Sequence, residues 1–140
     1  MLAMAKVGPE DVVFDLGCGD GRIVIRAAQQ RGARGVGIDL DEKLVAAAGR
    51  RAREAGVADR VKFRAQDATK ADFSTATVVT LYLLPESNAL LRPLLDEQLR
   101  PGARVISHDY TIEGWRHRLT DSRTVAAEDG KDHILFLYVR

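Results

Sequence analysis

The stretch Val13-Phe14-Asp15-Leu16-Gly17-Cys18-Gly19-Asp20-Gly21-Arg22 puts three glycines between an apolar run and a mixed one. Val12–Leu16 predicts a buried strand, and 22–31 predicts a helix with Ile23, Ala27 and Ala28 on one face. Glycine tolerates positive φ and lets backbone come close to a ligand. The helix behind it offers unpaired N–H groups and a partial positive charge. The segment therefore predicts a small-molecule cradle at the carboxyl end of the first strand, where open α/β sheets bind ligands.

Working outward, Gly35–Ile38 predicts a second strand, and Asp41 caps a helix to about Ala55 that Gly56 ends. Val61–Ala65 alternates as a third strand, and Thr77–Leu81 is a fourth, rich in β-branched residues. Ser87 is the expected cap of a helix through Leu99, closed by the Pro101-Gly102 turn, before a fifth strand at Ala103–Ser107. Alternating strands and helices predict a parallel sheet covered on both faces. The tail departs from this. Only residues 128–132 separate the strand-like runs Arg123–Ala127 and His133–Val139. That is too short for a parallel crossover, so the two should form an antiparallel hairpin.

A chain of 140 residues suits one domain, residues 1–140. With 46% hydrophobic and 29% charged residues it is neither a disordered chain nor a fibrous one. Lys and Arg total 21 against 20 Asp and Glu, a net charge of +1 that leaves no footprint for nucleic acid. The cluster Arg50, Arg51 and Arg53, with Lys43, Arg60, Lys62 and Arg64, is best taken as a solvated face. Cys18 is the single cysteine, so neither an internal disulfide nor a cysteine-based metal site is expected. A reduced, cytoplasmic setting fits. Three scattered histidines add no metal spacing. No apolar run nears the roughly 20 residues of a membrane helix, so no membrane segment is expected. Met1–Val7 has the character of the last turns of a helix, stopped by Gly8-Pro9, and implies an upstream segment.

The acids narrow the ligand. The dinucleotide fingerprint is G-x-G-x-x-G, but here Arg22 stands at the third-glycine position and Gly21 comes one residue early. Asp15 would repel a pyrophosphate and attract an ammonium. A ligand with an amino-acid end and a positive centre, such as S-adenosylmethionine, fits better than NAD. Asp39 follows Gly19 by 20 residues, the spacing at which an acid meets a ribose diol. Asp67, in Gln66-Asp67-Ala68, ends the third strand and can accept from an adenine amine. Three acids at successive strand ends predict one extended nucleoside ligand.

These residues resemble class I S-adenosylmethionine-dependent methyltransferases. Asp15–Gly21 matches the first motif of that family, Gly37-Ile38-Asp39 the second and Gln66-Asp67 the third. The resemblance implies a Rossmann-like, three-layer αβα fold. Its seven-stranded sheet would run 3-2-1-4-5-7-6, with strand 7 antiparallel, and the helix between strands 5 and 6 would be short, confined to 111–119. It also implies cofactor contacts from Asp15, Gly17, Cys18, Gly19, Gly21, Asp39, Leu40, Gln66, Asp67, Ala68 and Leu81. Leu81–Glu86, Leu99–Tyr110 and Trp115 are further similar to bacterial relatives of the mitochondrial lysine methyltransferases. That likeness implies transfer to an amine, with a protein lysine as the acceptor. Those relatives carry an N-terminal segment that helps close the site, and only Met1–Val7 stands in its place here.

In this fold the end of the fourth strand faces the methyl. Leu81-Tyr82-Leu83-Leu84-Pro85-Glu86 is not the Asn/Asp-Pro-Pro-Tyr/Phe motif of amide and adenine methylation. Tyr82, Glu86 and His108 are the candidate catalytic residues, with packing, a helix-dipole role and edge hydrogen bonding as their structural readings. Trp115 reads as packing and Cys18 as a small loop residue. A small-molecule or RNA acceptor, or a cofactor-binding module without turnover, remain the alternatives. The residues select neither an acceptor nor an oligomeric state.

Overall fold

Val12–Leu16 forms β1, buried from Val13 onward, so its side chains need cover on both faces. The computed structural model describes residues 1–127 and 129–140. After β1 come α1 (Arg22–Arg31), β2 (Arg34–Asp39), α2 (Glu42–Glu54), β3 (Val61–Ala65), β4 (Val78–Leu81) and α3 (Pro85–Gln98). β5 (Arg104–His108), β6 (Leu119–Ala126) and β7 (Asp132–Val139) complete the sheet. Among the described residues the strand order is β3-β2-β1-β4-β5-β7-β6, as the resemblance implied. β7 runs antiparallel to both β5 and β6.

Side chains alternate between two apolar layers. Val13, Val78 and Ile106 face α1 and α2, packing on Val24, Ala28 and Ala52. Phe14, Leu81 and Val105 face α3, with Leu91, Leu95, Trp115 and Tyr138. Each large aliphatic side chain buried this way contributes about 1.5–3 kcal/mol. The foot of the sheet is clamped by polar groups. Arg104 pairs with Asp11 and also donates to the carbonyl of Ala5, while Thr77 donates to Asp11 at 2.7 Å.

Several boundaries differ from the sequence expectation. α3 starts at Pro85, not after a Ser87 cap; Leu84 is its N-cap. Proline at a helix start loses no hydrogen bond and has its φ already set, so the helix begins earlier and Ser87 falls within its first turn. Within α1 the buried stripe is Val24, Ile25, Ala27 and Ala28, with Ile23 only partly covered. The helix expected at 111–119 is reduced to a 3₁₀ turn, Arg116–Arg118. Gly114, at φ 85°, breaks it, while Ile112 and Trp115 are drawn into the core. β6 accordingly starts at Leu119. The N-terminal turn is stopped by Lys6 rather than Gly8. Lys6 has φ 54°, and the N–H groups of Lys6 and Val7 donate back to the carbonyls of Ala3 and Leu2, a Schellman pattern. The expected hairpin turn includes Glu128, which lies outside the described residues.

Gly21 is the tightest point of the glycine loop. It caps α1 at φ 81°, and a Cβ there would sit 2.6 Å from the Phe63 ring and 2.9 Å from Ala48. Gly21→Ala should destabilise the fold by roughly 2–5 kcal/mol through backbone strain and overpacking. Gly49 sits within α2 with only Arg53 nearby, at 3.9 Å. Gly49→Ala should stabilise by about 0.5–1 kcal/mol. Urea unfolding of the two variants checks both signs.

Candidate functional site

Because β1 lies between β2 and β4, the carboxyl ends of three strands open on one edge. A cavity of ≈ 320 Å³ there is lined by Gly17, Asp39, Leu40, Gln66, Asp67 and Ala68, six of the expected cofactor residues. Leu83, Ser87, Leu90 and Leu91, on α3 and its approach, form part of the wall. The volume falls in the range of small-molecule sites. Its lining, two acids against leucines, suits a ligand with both a polar sugar and a flat apolar base.

Asp39 is held in place by the loop it faces. Its Oδ2 accepts the N–H of Gly19 at 2.9 Å and its Oδ1 accepts that of Asp41 at 2.9 Å. Each carboxylate oxygen keeps a further lone pair for a ligand hydroxyl. The carbonyl of Ile38 takes the N–H groups of Gly17 and Cys18, at 2.8 and 3.0 Å. The loop is thus stitched to β2 from both the backbone and the side chain. A Cβ on Gly17, at φ 83°, would meet Leu83 at 2.6 Å, whereas one on Gly19, at φ 54°, would meet open space. Both glycines are required by their positive φ, and Gly17 in addition lies close against the Leu83 side chain.

Asp67 accepts from the N–H and the hydroxyl of Thr69, at 2.9 and 2.8 Å, and these bonds hold its carboxyl below the usual range. It caps a short turn and lines the cavity as well. Asp15 does neither. It is in register with Thr80 on β4, shares its face with Val13, and is 1% exposed. It accepts the Thr80 hydroxyl at 2.7 Å. Burial pushes its carboxyl up to about 7, with the charges of Asp39 and Asp20 adding. Two of the three acids therefore reach the cavity, and the third is buried within the sheet against Thr80. Cys18 is buried and its thiol is pushed up to about 12 by burial and the nearby acids, so it holds no thiolate. Gly19, Gly21 and Leu81 do not line the cavity: the first two shape the loop and Leu81 is buried in the core.

A second cavity of ≈ 390 Å³ adjoins the first and shares Leu83 and Ser87 with it. Tyr82, His108, Asp109 and Tyr110 also line it. Tyr82 and His108 stack with centroids 4.0 Å apart and planes at 20°. Glu86, exposed in the first turn of α3, lines neither cavity. Trp115 is 1% exposed and donates to Asp96 at 2.9 Å, a packing role. The rim is apolar: Leu40, Leu84 and Leu90 are 74%, 61% and 67% exposed. Leu83 belongs to the fourth-strand segment expected to face the methyl, whereas Ser87 and Leu90 carry no site signal in the sequence, because a helix capped at Ser87 would start farther from this edge. His108, Asp109 and His133 bring ligand-type atoms within 4.8 Å of one another. In that group Asp109 is hydrogen-bonded directly to His133 at 2.7 Å.

Two outcomes follow from this geometry. Asp39→Ala should weaken binding of S-adenosylmethionine about tenfold or more, since a charge-assisted hydrogen bond contributes about 1.5–3 kcal/mol. Calorimetry checks it, and unchanged affinity would remove Asp39 from the site. Asp15 keeps its proton in the folded state at pH values where the unfolded chain has lost it. Stability should therefore fall as pH rises from the ordinary aspartate range to about 7. Asp15→Asn should abolish that decline in urea midpoints measured across pH 4 to 8.

Comparison with known proteins agrees with this layout. The family model for the ANTKMT methyltransferase domain matches residues 15–119. A protein-lysine N-methyltransferase from Saccharolobus islandicus is 39% identical over 99% of this chain and 85% of its own length. An adenine nucleotide translocase lysine N-methyltransferase from Mus musculus is 35% identical over 83% of this chain, and the match spans 50% of that protein. A crystal structure of an RNA methyltransferase from Salinibacter ruber, in complex with S-adenosyl-L-homocysteine, superposes with a TM-score of 0.87. It is 53% identical and covers 99% of this chain and 86% of its own. The strand order, the edge cavity and the matched motifs agree, and the chain belongs to the ANTKMT methyltransferase domain family, as an S-adenosylmethionine-dependent methyltransferase.

Proposed function

We propose that this chain is a single methyltransferase domain that methylates an amine on a protein, the ε-amino group of a lysine. The observation that carries the reading is the wall shared by the two cavities. Leu83 and Ser87 line both the acid-lined cavity and the aromatic one. A cofactor in the first and an acceptor in the second would meet across those two residues. When bound, S-adenosylmethionine supplies a methyl group already activated by its sulfonium. Asp39 and Asp67, with Leu40, Gln66, Ala68 and Gly17 of the glycine loop, would hold it, while Asp15 stands outside the cavity. The protein's remaining work is orientation and exclusion of water.

A lysine ammonium must lose a proton before it can act as a nucleophile, since its pKa is about 10.4. Tyr82 and His108 line the second cavity and are the candidates for orienting the amine and taking that proton. Glu86 is set aside from this role, because it lines neither cavity. The apolar rim of Leu40, Leu84 and Leu90 suits a protein surface more than a free small polar acceptor. The likeness to the Saccharolobus islandicus protein-lysine N-methyltransferase supports the same acceptor.

A second reading, RNA as acceptor, draws on the Salinibacter ruber structure. A hollow lined by Arg22, Arg26 and Arg51 lies between α1 and α2, away from the two cavities. Asp20 pairs with both Arg22 and Arg51, at 2.9 and 2.6 Å, and Glu54 lies in the same hollow. Much of the positive charge is thereby neutralised, which favours the protein reading. Incubation of the chain with methyl-tritiated S-adenosylmethionine and a cell lysate separates the two. The expected label is sensitive to protease and releases methyl-lysines on acid hydrolysis. Label sensitive to ribonuclease alone would overturn the lysine reading.

A further inference from the structure

His133, at the start of β7, has no part in the site as described so far. Its Nδ1 lies 2.7 Å from Asp109 Oδ2 and its Nε2 lies 2.9 Å from Asp129 Oδ2. An ionised carboxylate has no proton to give, so both ring nitrogens must carry one. With both carboxylates ionised, this geometry favours His133 as an imidazolium. Its ring lies 4.7 Å from that of His108, which also stacks on Tyr82.

Asp109 joins the two histidines. It is a non-glycine residue at φ 64°, a conformation that persists only where the surroundings enforce it. Its N–H donates to Ile134 O at 2.7 Å, and its Oδ1 accepts the Ile134 N–H at 2.9 Å. Its Oδ2 is bonded to His133, and lies 3.5 Å from His108 Nδ1. The carboxylate nearest His108 thus makes its shorter bond to His133, 2.7 Å against 3.5 Å.

Resting on the acceptor reading above, we infer that His133 is a positioning residue: by engaging Asp109 and holding a fixed positive charge beside His108, it keeps His108 a neutral imidazole able to take the proton the acceptor ammonium must lose. In that step an N–H bond of the ammonium breaks and its electron pair stays on nitrogen. The proton bonds to a ring nitrogen of His108 and passes to solvent after transfer. The charged groups around His108 are Asp109, Asp129, His133 and the Met1 amino group. Burial holds His108 below the ordinary histidine range; Asp109 and Asp129 oppose this, while His133 and Met1 reinforce it. His133 is raised by its bonds to Asp109 and Asp129.

The test is a nuclear magnetic resonance titration of the imidazole protons, with kcat against pH on the same proteins. In the unaltered chain His108 should titrate below about 6.5 and His133 above it. His133→Gln should raise the His108 midpoint by about one pH unit, because the repelling charge goes and Asp109 is released. The acid limb of kcat should move with it, while the affinity for S-adenosylmethionine stays the same. If His133→Gln fails to fold, His133→Asn removes the same charge and should raise the His108 midpoint in the same sense. An unmoved His108 midpoint, or a kcat limb that ignores a moved one, overturns the inference. Coupled midpoints with a kcat limb that follows them, but label on RNA, overturn the lysine reading and leave the role of His133 standing.

Discussion

The hydrogen bond from the Gly19 N–H to Asp39 Oδ2, 2.9 Å long, ties the glycine loop to the end of the neighbouring strand. It depends on β1 and β2 being parallel and in register, with Leu16 opposite Ile38. Given that register, the chain can leave β1 only through a tight loop, and the loop must adopt positive φ at Gly17, Gly19 and Gly21. Phe63 from β3 packs where side chains at Gly21 and Gly37 would stand, so the third strand is keyed to the same loop. A cavity then forms where the strand ends, the loop and the start of α3 meet.

The two halves of the site rest on different kinds of support. The candidate cofactor cavity stands on the parallel part of the sheet, where backbone hydrogen bonds fix its acids. The candidate acceptor cavity stands on the junction of β5 with β7. Its polar side chains are set by their mutual hydrogen bonds and stacking: His108 on Tyr82, and His133 between Asp109 and Asp129. One scaffold of this kind can keep its cofactor while the acceptor side varies, because loops and edges tolerate change that a buried parallel strand does not.

Much of the fold was legible in the residues. β1, α1 and β3 have the bounds their apolar patterns predicted, and the short gap before His133 correctly excluded a crossover helix. What failed was local. Pro85 began α3 two residues ahead of the serine that looked like its cap. Gly114 dissolved a helix whose apolar residues, Ile112 and Trp115, were needed in the core. In the site, Asp39 and Asp67 are on the cavity wall, as their strand-end positions predicted. Asp15 is not, because strand alternation turns it toward Thr80, and alternation within a fully buried strand leaves no hydropathy signal. Residues 108 and 133 belong together only through antiparallel pairing, a long-range fact no local spacing contains.

The central claim is that the edge cavity binds S-adenosylmethionine. Calorimetric titration of the chain with S-adenosylmethionine, S-adenosylhomocysteine and NADH tests it most directly. The account predicts micromolar binding of the first two and none of NADH. Binding of NADH alone, or of none of the three, would contradict it.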